Sequence, residues 1–130
     1  MNAMDFDLSP EQAQLRKMVR GFAEKELLPH SREWDEKQEF PREVFSKLGG
    51  LGLTGCCWPE EYGGSGLSTL DWAIVMEELS RVDAGVALSL AAHHSLCSAH
   101  LHLAGTEEQK RRFLPPLARG EKVGCWGLTE

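Results

Sequence analysis

Trp58-Pro59-Glu60-Glu61-Tyr62-Gly63-Gly64-Ser65-Gly66-Leu67 is a glycine-rich stretch set between two amphipathic helical patterns. Gly63, Gly64 and Gly66 tolerate positive φ and Pro59 fixes one backbone angle, so a shaped loop is predicted here. Glycines ahead of a helix also suggest a phosphate cradle. The stretch lacks the Lys-Ser/Thr ending of a P-loop and the preceding strand of a dinucleotide-binding turn, which argues against that chemistry.

Upstream of the loop the pattern is helical. Ser9-Pro10-Glu11-Gln12 combines a capping residue, a proline suited to the first helical position and a Ser-x-x-Gln box. Leu15, Met18, Val19, Phe22, Ala23 and Leu27 then recur at helical spacing up to Pro29, predicting a helix of roughly 20 residues. His30 to Phe40 is polar and without clear period and reads as a connection with room for a helical turn. Pro41 to Leu48 reads as a short helix with Val44, Phe45 and Leu48 inward, ended by Gly49, Gly50, Gly52 and Gly55. Leu51 and Leu53 are expected to be buried beside the loop.

Downstream, Ser68 or Thr69 caps a helix whose positive end is favoured by Asp71. Leu70, Ala73, Ile74, Val75, Leu79 and Val82 supply its broad apolar stripe. Glu77 and Glu78 are adjacent, so they point about 100° apart on a helix and cannot converge on one atom; a solvated or ion-paired face is expected. Val86 to Leu103 is apolar or small nearly all round and predicts a central helix, ended by Gly105 in the left-handed conformation. Its histidines raise a metal site, since His93 or His94 can share a face with Cys97. No carboxylate completes such a set, so packing or polar anchoring is expected and no metal. Thr106-x-x-Gln109 opens a short helix through Leu114, with Pro115-Pro116 as its stop.

Val123 to Leu128 switches to a strand-like apolar run that ends at Glu130 without a partner. A lone strand cannot satisfy its backbone groups. Residues 1–121 are therefore expected to form an all-α N-terminal domain, and residues 122–130 the first strand of a second, truncated β domain.

The chain has 130 residues, 42% of them hydrophobic and 26% charged, which suits a soluble domain with a real core. Its net charge of −6 argues against nucleic acid or an anionic membrane as partner. No apolar run approaches the ~20 residues of a membrane helix. Cys56, Cys57, Cys97 and Cys125 show no C-x-x-C spacing and read as free thiols in a reducing compartment. With no secretory or transit pattern at the N-terminus, a cytoplasmic location is expected.

Four stretches in order carry a family resemblance: the Pro59–Leu67 loop, Glu77-Glu78-Leu79-Ser80-Arg81, Ala104 to Lys110 with Leu114-Pro115, and Gly124-Cys125-Trp126-Gly127-Leu128-Thr129-Glu130. Together they resemble the acyl-CoA dehydrogenases, flavoenzymes built from an N-terminal helical domain, a middle β domain and a C-terminal helical bundle. The resemblance implies an FAD-dependent oxidation of an acyl-CoA thioester to the 2,3-enoyl-CoA. A glutamate from outside these residues would take the α-proton, so no catalytic residue is expected in this chain. It also implies an electron-transfer flavoprotein as acceptor and a homo-oligomer, tetramer or dimer. Carried over by position, Trp126, Leu128 and Thr129 border the flavin, with Trp126 where Phe or Tyr is commoner. Without the neighbouring motifs, Trp126 and Leu128 also read as core residues of a strand. Ala87, Leu88, Ala91, Ala92 and Ser95 are the candidate acyl-binding residues. Ala87 stands near where glutaryl-CoA dehydrogenases place an arginine, which implies an uncharged acyl group, short or branched. The alternative is a non-catalytic helical binding or interaction domain derived from the same fold.

Overall fold

The amphipathic and capped patterns become a helical bundle in the computed structural model, which describes residues 6–127. The order is α1 (Pro10–Phe22), α2 (Ser31–Lys37), α3 (Arg42–Gly50), α4 (Thr69–Ser80), α5 (Ala84–Ala91), α6 (Ala99–Ala104) and α7 (Glu107–Ala118). A π-helical turn, Ala23–Leu27, extends α1, and a second, Ala92–Ser98, joins α5 to α6 as one continuous rod. No strand occurs among the described residues. The described part of the C-terminal run, residues 123–127, has no ladder partner.

The helix starts follow their side chains. Ser9, Ser68 and Thr106 each cap a helix through a reciprocal box, with Gln12, Asp71 and Gln109 respectively, satisfying N–H groups that have no partner in the first turn. Val19 of α1, Ala23 and Leu27 of its π-helical extension, Val44, Phe45 and Leu48 of α3, Val75 and Leu79 of α4, and Val86, Ala87 and Leu90 of α5 make the core. Polar pairs lock α1 to α4 above it. Arg20 donates twice to Glu78, at 2.9 and 2.8 Å, while Arg16 bonds Glu77 at 3.0 Å and Arg81 reaches Glu24 at 2.8 Å. Glu78 is only 1% exposed. The Arg20 hydrogen bonds, more than simple proximity, hold its carboxyl below the ordinary carboxylate range.

Several expectations need correction. Residues 31–37 form a helix, where the polar composition hid an apolar contact: Trp34 lies half-buried against the core. Leu53 is buried but Leu51 is exposed, and Leu70 and Ala73 also face outward. Gly105 ends α6 with φ −72° and ψ 149°, an extended rather than left-handed conformation. Pro115 and Pro116 lie inside α7 instead of stopping it. Their missing N–H groups would have bonded the carbonyls of Arg111 and Arg112, both exposed residues, so water can take those acceptors and the helix runs on.

Glycine matters most where α3 and the turn after it meet the end of α7. A Cβ on Gly55 would lie 2.7 Å from the Ala118 Cβ, and one on Gly49 would overlap the Arg119 carbonyl. Thr54 crosses the same seam, donating its hydroxyl to the Ala118 carbonyl at 2.6 Å. Gly21 is the opposite case: it lies mid-helix with nothing near its absent side chain. Gly49→Ala is expected to destabilise the chain by about 1–3 kcal/mol through overpacking. Gly21→Ala is expected to stabilise it by about 0.5–1 kcal/mol by removing helix-opposing backbone entropy. Urea unfolding of the two variants checks both signs.

Candidate functional site: the uncharged face of the α5–α6 rod

The rod from Ala84 to Ala104 contains no Lys, Arg, Asp or Glu. One side is core. Val86, Ala87, Leu90, His93, His94 and Ser98 are buried. The other side is open: Leu88 is 71% exposed and Leu103 80%, with Ser95 and Leu96 exposed between them and Ala91, Ala92 and Ala99 half-buried. The expectation of a central helix therefore fails on this face. Apolar composition alone cannot tell a core helix from one lining a site.

Of the acyl-binding candidates, the structure brings Leu88, Ala91, Ala92 and Ser95 to this face. Ala87 is placed elsewhere, 1% exposed among the core residues. Trp126 stands beside the same rod, 37% exposed, its ring 3.9 Å from that of His100. Leu128 and Thr129 lie outside the described residues.

The π turn sets the interior of the rod. The neighbours His93 and His94, both within it, enter the core together, as Val86 and Ala87 do in α5. The Ser98 side-chain hydroxyl donates to the His93 carbonyl at 2.9 Å, five residues back. No short motif announces this widening.

Each buried histidine has an assignable tautomer. The Gly124 N–H donates to His93 Nδ1 at 2.9 Å, so that nitrogen is unprotonated and Nε2–H donates to the Leu117 carbonyl at 3.1 Å. The Cys57 N–H donates to His94 Nε2 at 3.3 Å, which puts the His94 proton on Nδ1. His94 is also stacked between Trp58 at 4.5 Å and Trp72 at 4.0 Å. This ties the glycine-rich loop to α4 and to the rod. Burial lowers the pKa of both imidazoles, that of His94 to about 4. Among the described residues no group of three or more His, Cys, Asp or Glu side chains could hold a metal.

The loop after Trp58 serves the scaffold. Gly63 and Gly66 have positive φ, whereas Gly64 is needed for its close approach to the Trp58 carbonyl. Tyr62 donates to Glu107 at 2.9 Å, and Arg111 joins Glu61 to Glu107. Glu61 is thus a docking residue.

Residues 9–121 match the family model described as "Acyl-CoA dehydrogenase, N-terminal domain". The chain belongs to the acyl-CoA dehydrogenase family. It is 48% identical over 127 residues to a short-chain specific acyl-CoA dehydrogenase of Clostridium acetobutylicum, covering 98% of this chain and 34% of that protein. The butyryl-CoA dehydrogenase structure from Megasphaera elsdenii superposes with a TM-score of 0.90 at 43% identity, over 98% of this chain and 34% of its own. An acyl-CoA dehydrogenase from Bacillus anthracis, solved in complex with FAD, gives a TM-score of 0.85 at 38% identity, over 93% of this chain and 21% of its own. The chain spans about a third of the length of the curated relatives it matches. Among the described residues no helix is long and apolar enough to cross a membrane.

The buried histidines give this acyl-CoA dehydrogenase domain an acid sensitivity with a definite sign. His94 titrates at about 4 when folded against 6.5 ordinarily. Its contribution to stability is therefore full above pH 6.5 and is lost as pH falls from there towards 4. The loss is at most about 1.4 kcal/mol per pH unit for one such group. His94→Phe keeps a ring between the two tryptophans. It is expected to be less stable at pH 7, having lost the Cys57 acceptor, yet to lose less between pH 6.5 and 4. Urea midpoints across that range are the check.

Proposed function

We propose that the whole protein is an FAD-dependent acyl-CoA dehydrogenase, oxidising an acyl-CoA thioester to the 2,3-enoyl-CoA. In this reading the α5–α6 rod forms one wall of its acyl site. The observation that carries it is the open, uncharged ledge of Leu88, Ala91, Ala92, Ser95 and Leu96, with an exposed indole beside it. An uncharged ledge suits an alkyl chain and excludes water from it. The Trp126 indole against His100 of the same rod offers a planar aromatic surface that fits a flavin ring. When bound, FAD supplies the hydride acceptor for the β-carbon. Family membership supports a glutamate from outside residues 1–130 as the acceptor of the α-proton. It likewise supports residues 122–130 as the start of the middle domain, an electron-transfer flavoprotein as acceptor, and a homotetramer or homodimer.

The chain's own contribution is placement. Leu88, Ala91 and Ala92 would limit the width of the acyl channel, Trp126 would present its ring to the flavin, and the Thr129 hydroxyl would hold the flavin's polar edge. No cation stands on the ledge to meet a second carboxylate, and burying an unpaired carboxylate costs several kcal/mol. The acyl group is therefore uncharged, short or branched.

Full-length protein purified with its flavin is expected to oxidise butyryl- or isobutyryl-CoA faster than glutaryl-CoA. Faster turnover of glutaryl-CoA would overturn the substrate assignment, and absence of flavin with every acyl-CoA inert would overturn the activity. Thr129→Val is expected to change FAD affinity or reduction potential while leaving the helical circular dichroism intact.

A further inference from the structure

His93, Cys97 and His100 stand four and three residues apart and share one stripe of the rod. All three meet the C-terminal segment, His93 and Cys97 at Gly124 and His100 at Trp126. His93 Nδ1 accepts the Gly124 N–H at 2.9 Å. Cys97 packs so closely on Gly124 that a Cβ there would lie 2.6 Å from its Sγ. The His100 ring meets the Trp126 ring at 3.9 Å, and its Nδ1–H is spent on the Leu96 carbonyl at 2.7 Å, which fixes the ring's orientation. The segment from Val123 to Gly127 has no secondary structure of its own. Its path is set by what it touches, and three of those contacts come from one helical stripe.

We infer that this stripe is a template that sets the register of the flavin-contacting segment, with His93 as its positioning residue. The inference rests on the reading that residues 126–129 border FAD. His93 is suited to the task because it is fully buried and holds two chain positions at once, the Leu117 carbonyl at the end of α7 and the Gly124 N–H just beyond it. A one-residue slip of the segment would leave that N–H without an acceptor. It would also press a side chain against Cys97 and turn Trp126 to the opposite side. Cys97, which beside a histidine resembles half of a metal site, instead supplies the flat surface against which only glycine fits.

Two isosteres separate positioning from mere packing. In Asn the amide oxygen can stand where Nδ1 stood and keep the Gly124 bond. In Gln the amide nitrogen can stand where Nε2 stood and keep only the Leu117 bond. The experiment uses the full-length protein, with amide hydrogen exchange at Gly124, FAD affinity after reconstitution, and flavin reduction potential as readouts. His93→Leu and His93→Gln are expected to speed Gly124 exchange and to weaken FAD binding by about tenfold each, the scale of one orphaned buried hydrogen bond. His93→Asn is expected to stay near the parent in both. His100→Ala changes an exposed side chain and leaves folding alone; it is expected to shift the potential and weaken FAD by about threefold through loss of the ring contact. Unchanged Gly124 exchange in His93→Leu would overturn the inference. So would faster exchange with FAD affinity and potential unmoved, or rescue by Gln and not by Asn. Failure of the flavin reading looks different: the unsubstituted full-length protein would take up no FAD, whatever the exchange rates.

Discussion

A neutral imidazole donates from one nitrogen and accepts at the other, and His93 uses both functions inside the core. Its Nε2–H meets the Leu117 carbonyl and its Nδ1 meets the Gly124 N–H. The backbone partners admit one tautomer only, because an amide N–H cannot accept. Protonation would place a second donor against Gly124, so burial and hydrogen bonding demand the same uncharged form. Through this one ring the α5–α6 rod holds both the end of α7 and the start of the following segment. His94, one residue on, ties the other side of the rod to Trp58 and Trp72. Both rings stand in the π turn between α5 and α6, which is thus the joint of the domain.

Much of the fold is legible from local chemistry. The capping boxes at Ser9 and Thr106, the inward faces of α1 and α3 and the shaped loop after Trp58 need only nearby residues, and each is where spacing places it. What spacing misreads depends on contacts made far away in sequence. Trp34 makes a helix of a polar stretch by reaching the core. The prolines of α7 are tolerated because the carbonyls they leave free belong to exposed residues. Gly49 and Gly55 look like simple helix breakers, yet their larger role is to let α7 approach across the seam.

The site is legible to a different degree. Leu88, Ala91, Ala92 and Ser95 share the open face because helical periodicity alone groups them. Ala87 falls one step around the helix and belongs to the core, a distinction that a nearly uniform apolar sequence does not encode. The anchoring role of His93 is hidden for a related reason. Its partners are backbone atoms of Leu117 and Gly124, which no side-chain motif can reveal. The spacing of His93, Cys97 and His100 is visible in the sequence, but what the stripe holds is visible only in three dimensions.

The protonation state of His93 tests the central constraint most directly. Imidazole nitrogen-15 spectra of the chain, recorded as a pH series, report tautomer and charge at that ring. The account predicts a neutral His93 with its proton on Nε2, titrating below its ordinary 6.5, and a scalar coupling from Nδ1 across the hydrogen bond to the Gly124 amide. A proton on Nδ1, or a ring that titrates at 6.5 with no coupling to Gly124, would contradict it.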